Sequence, residues 1–351
     1  MSDSGDSVKV LFVESASRSG AADLVEGDPG VVVFRSPLDP LAARQRIVEY
    51  QPDVLVLDLE MDRMDAMLFL RILMQQAPMP VLVLSSLSPQ GSWLALDALE
   101  SGAADVFVRS SAAHIAPEQR RDLVSKLKAA ARTKFRQPQP KSSQREEETG
   151  KSGKTLILLG ASTGGTEAIR EILSQLPANL PPICIVQHIP SDFSGLFAER
   201  LNSYCAISVK EAVNGALLRP GCAFVAPGNK HMILARDSSG KFSLKIREGE
   251  KIMHHRPSID LMFESTAAVA GSQVVAGLLT GMGRDGASGL LKLRQAGART
   301  FAQDEKSSVV YGMPRAAADL GAAEKILPLE EIAGFITRSC AIRMTNTISS
   351  R

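Results

Sequence analysis

Cysteine and histidine are scarce in this chain of 351 residues. The four cysteines, Cys184, Cys205, Cys222 and Cys340, are far apart and form no C-x-x-C pair. That spacing excludes a cysteine zinc knuckle and a disulfide framework as organising elements, and leaves reduced, mostly buried thiols as the expectation. No run of about 18 apolar residues occurs, so no membrane insertion is expected. The opening "MSDSGDSVKV" has neither a basic n-region nor an apolar h-region, so no secretory leader is expected and the cytoplasm is the expected location. An excess of charge is missing too: 40 basic residues face 38 acidic ones, for a net charge of +2. Nothing in that balance attracts a polyanion, and nucleic acid is not an expected partner.

The sequence does have the material for large cores, with 44 % hydrophobic and 22 % charged residues, the ordinary globular balance. In the first part, "VKVLFV", "VVVF", "DVLVLDL", "PVLVLSS" and "DVFV" alternate with helically spaced segments such as "LAARQRIVEY" and "MLFLRILMQQ". Near-continuous Val- and Leu-rich strands separated by helices predict a doubly wound, parallel five-stranded sheet covered on both faces. An amphipathic helix is expected over Pro117–Arg132. The stretch Lys134–Lys154 holds no aliphatic residue and is read as a flexible linker spanning 134–154. A second, larger α/β domain follows over 155–351. Its strand candidates are "TLILLG", "PICIVQH", "CAFVAPG", "KFSLKI", "VVAGLLTG" and "RTFAQ". Its helix candidates are Thr166–Gln175, Ser194–Leu201, Ser258–Ala270, Gly286–Ala296 and Leu329–Ile336. The hairpin signal "ARDSSGKFSL" predicts that this sheet is mixed.

One bend concentrates the chemistry. "GASTGGTE" joins an apolar strand to a helical segment and places Ser162 among small residues. Gly160 and Gly165 have P-loop spacing, but Thr166 and Glu167 stand where the phosphate-binding lysine and hydroxyl belong, and G-x-G-x-x-G is absent. Two readings remain. One is a glycine-rich turn with a capping hydroxyl. The other is a nucleophile turn, since Gly160–Gly164 fits G-x-S-x-G between strand and helix.

A nucleophilic serine needs a base, and the base needs an acid to orient it. Of five histidines, His188 closes the apolar strand "PICIVQH", at a carboxyl end where α/β sheets collect ligands. His231 lies in a turn-rich loop, His254 and His255 look like surface residues or residues behind the site, and His114 is in the first domain. Asp285, in "LLTGMGRDGASGL", either caps the helix that follows it or is the orienting carboxylate. The order Ser…His…Asp differs from the Ser…Asp…His of α/β-hydrolases.

Taken together, "GASTGG", "QHIP", "VAPGNKHM", "HRPSID", "LTGMGRDGA" and "YGMPRAA" occur in an order and spacing that resembles the catalytic domain of the chemotaxis protein-glutamate methylesterases. The preceding domain, 1–133, resembles the receiver domain these response regulators carry. The resemblance implies hydrolysis of glutamate methyl esters on methyl-accepting chemoreceptors, with methanol released, and in many members deamidation of glutamines. It assigns Ser162 as nucleophile, His188 as base and Asp285 as its orienter. It suggests Thr163, Gly164 and the backbone of Met282 for the oxyanion, and no cofactor for catalysis. A serine hydrolase or amidase with another substrate, and a signalling scaffold that keeps the fold, are the alternatives.

The resemblance also makes Asp58 the phosphoacceptor, with a histidine kinase as partner, and Ser85 the switch hydroxyl. The first domain departs from its pattern. The acidic pair after the first strand is Glu14 and Ser15, Arg109 replaces the lysine after the fifth strand, and Asp62 and Ala66 replace the usual proline and glycine. A Mg²⁺ ion held by Glu14 and Asp58 would have lost one carboxylate and gained a longer one. Phosphorylation of Asp58, and regulation by docking without it, are both left open.

Overall fold

The computed structural model describes residues 7–14, 20–61, 65–86, 88–108, 117–132, 155–236 and 241–340. Ser15, Asp62, Arg109, His114 and the 134–154 segment lie outside them. Contacts divide the chain into two compact units, Met1–Phe135 and Arg136–Arg351.

The N-terminal unit runs β1 (Val8–Val13), α1 (Ala21–Val25), β2 (Val31–Ser36), α2 (Pro40–Tyr50), β3 (Val54–Asp58), α3 (Ala66–Gln76), β4 (Val81–Ser85), α4 (Pro89–Glu100), β5 (Asp105–Val108) and α5 (Pro117–Ala131). Its sheet has the order β2-β1-β3-β4-β5, and every pairing is parallel. Each residue of β3 and β4 is buried, as a central parallel strand covered by helices requires. The helices start on sequence signals. Asp39, Asp65 and Ser88 each accept a hydrogen bond from a main-chain N–H in the first turn of α2, α3 and α4.

The C-terminal unit continues with β6 (Leu156–Ala161), α6 (Gly165–Ser174), β7 (Ile183–Gln187), α7 (Ser191–Tyr204), β8 (Ser208–Glu211), β9 (Cys222–Val225), β10 (His231–Arg236), β11 (Phe242–Arg247), α8 (Ile259–Val269), β12 (Val274–Leu278), α9 (Ala287–Gln295), β13 (Arg299–Gln303), α10 (Met313–Asp319), β14 (Lys325–Leu327) and α11 (Leu329–Cys340). Seven strands pair in the order β14-β13-β12-β6-β7-β9-β8, all in parallel.

The expectation of a mixed sheet is therefore corrected. The hairpin β10–β11 is antiparallel but forms its own two-stranded sheet. Its apolar side, Met232, Leu234 and Leu244, joins the core around Met262 and Phe263 of α8, so burial is satisfied without pairing to the main sheet. Strand order reverses at β6. The chain moves outward through β7 on one side and returns through β12 on the other, which makes the carboxyl ends of β6, β7 and β12 a topological switch point.

Candidate active site

Ser162 directly follows β6 and is held from both sides. Its N–H donates to Thr280 O at 3.0 Å beyond the end of β12. Its carbonyl accepts from Gly165 N at 2.7 Å and from Gln187 Nε2 at 2.8 Å at the end of β7. Gly164 opens α6 at φ +75°, and a Cβ there would lie 2.5 Å from Val309 Cβ, so only glycine fits. Thr280 braces the turn: its hydroxyl donates to Thr163 O at 2.9 Å and accepts from Val310 N at 2.9 Å, while its own N–H meets Gln303 Oε1 at 2.8 Å.

His188 is the residue after β7, and its N–H donates to Ala161 O at 3.0 Å, which fixes it beside the serine turn. Its ring Nε2–H donates to Asp285 Oδ2 at 2.8 Å, with the two side chains 8 % and 1 % exposed. Nδ1 is buried and takes no hydrogen bond. Ser162, His188 and Asp285, far apart in sequence, thus gather at the ends of three adjacent strands.

Asp285 does not cap its own helix; Gly286 does. Its carboxylate sits at the start of α8 instead. Oδ2 also accepts from Ile259 N at 2.8 Å, and Oδ1 accepts from Asp260 N at 3.0 Å and from Ser258 Oγ at 3.0 Å. Ser258 is in turn the N-cap of α8, accepting from Leu261 N at 3.3 Å. Burial by itself would raise the Asp285 pKa. The hydrogen bond and charge of His188, together with the N–H groups of Asp260 and Ile259, outweigh it and hold the carboxyl below its ordinary value. The first turn of a helix favours the same charged form. Asp260 shows the opposite result: burial, aided by the neighbouring Asp285 charge, raises its pKa despite the hydrogen bond from Gly289 N. The position of α8 is set by Ile259, Met262 and Phe263, all fully buried, each contributing about 1.5–3 kcal/mol.

The remaining histidines have other places. His231 is buried and structural: Nε2 bonds Glu250 O at 2.9 Å and Nδ1 accepts from Ser258 N at 3.2 Å. His254 is exposed. His255, expected at the surface or behind the site, stacks on the His188 ring with centroids 3.8 Å apart and planes 6° apart. Sequence reasoning gave Thr280, Gln187 and Ser258 no role; Ser258 alone had a signal, as a hydroxyl just ahead of an apolar helix. Thr163 and Gly164 lie in the serine turn, and Met282 follows Gly281, whose carbonyl accepts from Gly312 N at 3.1 Å and Met313 N at 2.9 Å.

The strand ends of the N-terminal unit are arranged differently. Asp58 is fully buried, and its Oδ1 accepts from Glu60 N at 3.0 Å. Glu14, after β1, is held by a helix end. Its carboxylate accepts from Ala21 N at 2.7 Å and Ala22 N at 3.0 Å, at the start of α1. Gly20 makes this approach feasible, since a Cβ there would lie 2.4 Å from Glu14 Oε1. Ser85 Oγ donates to Gly91 O at 2.8 Å and Ser86 O at 3.2 Å, and Glu60 accepts from Ser86 N and Oγ at 2.9 and 2.6 Å. Among the described residues, no group of three His, Cys, Asp or Glu could hold a metal ion. Mg²⁺ requires near-octahedral oxygen ligation, of which Glu14 and Asp58 would supply two carboxylates. Among the described residues, no helix is long and apolar enough to cross a membrane.

The model of the CheB methylesterase family matches residues 157–336. The whole chain is similar to protein-glutamate methylesterase/protein-glutamine glutaminase 2 of Syntrophus aciditrophicus, 42 % identical over 339 residues, covering 94 % of this chain and 98 % of the relative. It is 44 % identical over 342 residues to protein-glutamate methylesterase/protein-glutamine glutaminase 1 of Geobacter metallireducens, covering 93 % and 94 %. The crystal structure of the Thermotoga maritima CheB methylesterase catalytic domain matches with a TM-score of 0.51 and 36 % identity, covering 53 % of this chain and 97 % of that one. With near-complete relatives above 40 % identity and a family match on the unit that holds Ser162, His188 and Asp285, the chain belongs to the CheB methylesterase family.

Proposed function

We propose that this protein is a protein-glutamate methylesterase that hydrolyses methyl esters of glutamate side chains on chemoreceptors, and that deamidates receptor glutamines at the same serine. The observation that carries the reading is the His188–Asp285 bond with the second ring nitrogen left over. Asp285 is held as a carboxylate, so it accepts and Nε2 carries the hydrogen. The lone pair is then on Nδ1. Nδ1 takes the Ser162 proton as Oγ attacks the side-chain carbonyl. The tetrahedral oxyanion forms next to the first turn of α6, where Thr163, Gly164 and the Met282 backbone are assigned to it. Nδ1–H then protonates the departing methoxide to give methanol, or the departing amide nitrogen to give ammonia in deamidation. Water, deprotonated by Nδ1, cleaves the acyl-serine and returns glutamate.

These steps call on no metal or organic cofactor, so turnover is expected to persist in a chelator. The reading puts the enzyme in the cytoplasm, with chemoreceptors as substrate and a histidine kinase as the upstream partner of the receiver-like unit. The test is methanol release from methylated chemoreceptor membranes. The intact protein should release it, and Ser162→Ala should lower the rate by about 10⁴-fold or more while keeping its circular dichroism. Near-normal release by that variant would sink the serine mechanism. Ammonia without methanol would leave the amidase alternative.

A further inference from the structure

A single hydrogen bond does not orient a ring. The Nε2–Asp285 bond holds one edge of the His188 imidazole, and the tilt of the ring about its Cβ–Cγ bond, which sets where Nδ1 lies, is left to other contacts. Nδ1 has no hydrogen bond of its own to fix that tilt. What lies flat against the ring is His255, 3.8 Å away and 6° from parallel.

His255 is itself held by an unusual backbone. Ile252 N donates to His255 O at 3.0 Å and His255 N to Ile252 O at 2.8 Å, closing a two-residue hairpin turn. Its central residues, Met253 and His254, have φ +48° and +71°, where Asn-Gly would be the ordinary choice. Non-glycine residues in the left-handed region persist only where the surroundings over-determine them, and they cluster at working sites. The segment then continues without a break. Arg256 ties to Asn229 Oδ1 through Nε at 3.0 Å and Nη2 at 2.6 Å, and Ser258, Ile259 and Asp260 close on Asp285. One stretch, 252–260, therefore holds both the face of the His188 ring and the carboxylate at its edge.

The geometry points to His255 as a positioning residue of the proposed esterase: its ring is the platform that fixes the His188 plane so that Nδ1 stays aimed at the nucleophile. The inference rests on the esterase reading. It needs the flat ring of His255 and not its nitrogens.

The test compares His255→Ala with His255→Phe in the full chain. His255→Ala should lower kcat by about 10²-fold, the cost of a small misplacement of a reacting group, with KM within about twofold because no substrate contact is removed. His255→Phe, which keeps a stacked ring but cannot titrate, should recover most of that loss. Unchanged kcat in the alanine variant would overturn the assignment, and so would a phenylalanine variant as impaired as alanine. A second readout does not depend on turnover. In the Ser162→Ala background, the His188 ring protons should show a ring-current shift in NMR that His255→Ala removes and His255→Phe retains; no change on removal also overturns the assignment. An intact protein without esterase activity but with that shift would fault the esterase reading and leave the stacking role supported.

Discussion

Glu14 and Asp285 make an instructive pair. Both follow strands of parallel sheets close to a switch point, and both accept main-chain hydrogen bonds from the first turn of a helix. In Glu14 each carboxylate oxygen is committed to one N–H of α1, and Arg35 lies 4.0 Å away, itself paired with Asp23 and Glu26. The carboxylate ends as a helix cap. In Asp285 the helix N–H groups and the Ser258 hydroxyl hold the charge, and Oδ2 still has capacity for His188. A carboxylate offers about four acceptor positions. The difference is in the partners: Asp285 also meets the His188 ring, whereas Glu14 meets a helix end and lies near Arg35. A helix terminus can ready a carboxylate for chemistry or consume it, and geometry alone separates the outcomes.

The sharpest way to break the comparison is Asp285→Asn. The amide keeps the volume but loses the charge and one acceptor position, so the His188 tautomer is no longer fixed. Methanol release should fall by about 10⁴-fold, as loss of a triad carboxylate does elsewhere. Folding should weaken by about 1–3 kcal/mol, since buried N–H groups of α8 lose a charged acceptor. The pH dependence of stability follows in sign. A carboxyl whose folded pKa lies below its unfolded value contributes stability above the unfolded value, near the ordinary 3.8, and loses it as pH falls through the folded one. Below pH of about 4 the stability gap between the native protein and Asp285→Asn should therefore narrow, as measured by urea unfolding.

On the other side of the comparison, Asp58 should take little label from a small phosphodonor with Mg²⁺, because Glu14 is engaged by α1. Strong Mg²⁺-dependent labelling would show that Glu14 leaves its cap to bind metal. The smallest effect is expected for Glu14→Ala, which removes the acceptor for Ala21 and Ala22. It should shift the urea midpoint of the N-terminal unit by the equivalent of about 1 kcal/mol.

Much of this was legible before any coordinates. The fully buried strands announced parallel sheets because unbroken Val/Leu runs have no polar face to give to water. Edge strands β8 and β14 carried no such signal, being short and partly exposed. Ser162 and His188 were visible because each ends a buried strand. Asp285 was visible only as one of two readings, since an aspartate ahead of a helix looks the same whether it caps that helix or another.

By itself, the sequence determined the two α/β units, the glycine at Gly164 without which the serine turn would meet Val309, and the residue types of the site. Only the tertiary structure decided their use. The reversal of strand order at β6 brought together three groups that local pattern cannot relate. The packing of α8 delivered its N-terminus to Asp285 rather than to its own neighbour. The turn at 252–255 laid His255 on His188, and Gly20 let Glu14 reach α1. Such outcomes depend on which helix end or ring face arrives at a side chain through space, and periodicity along a chain carries no record of that.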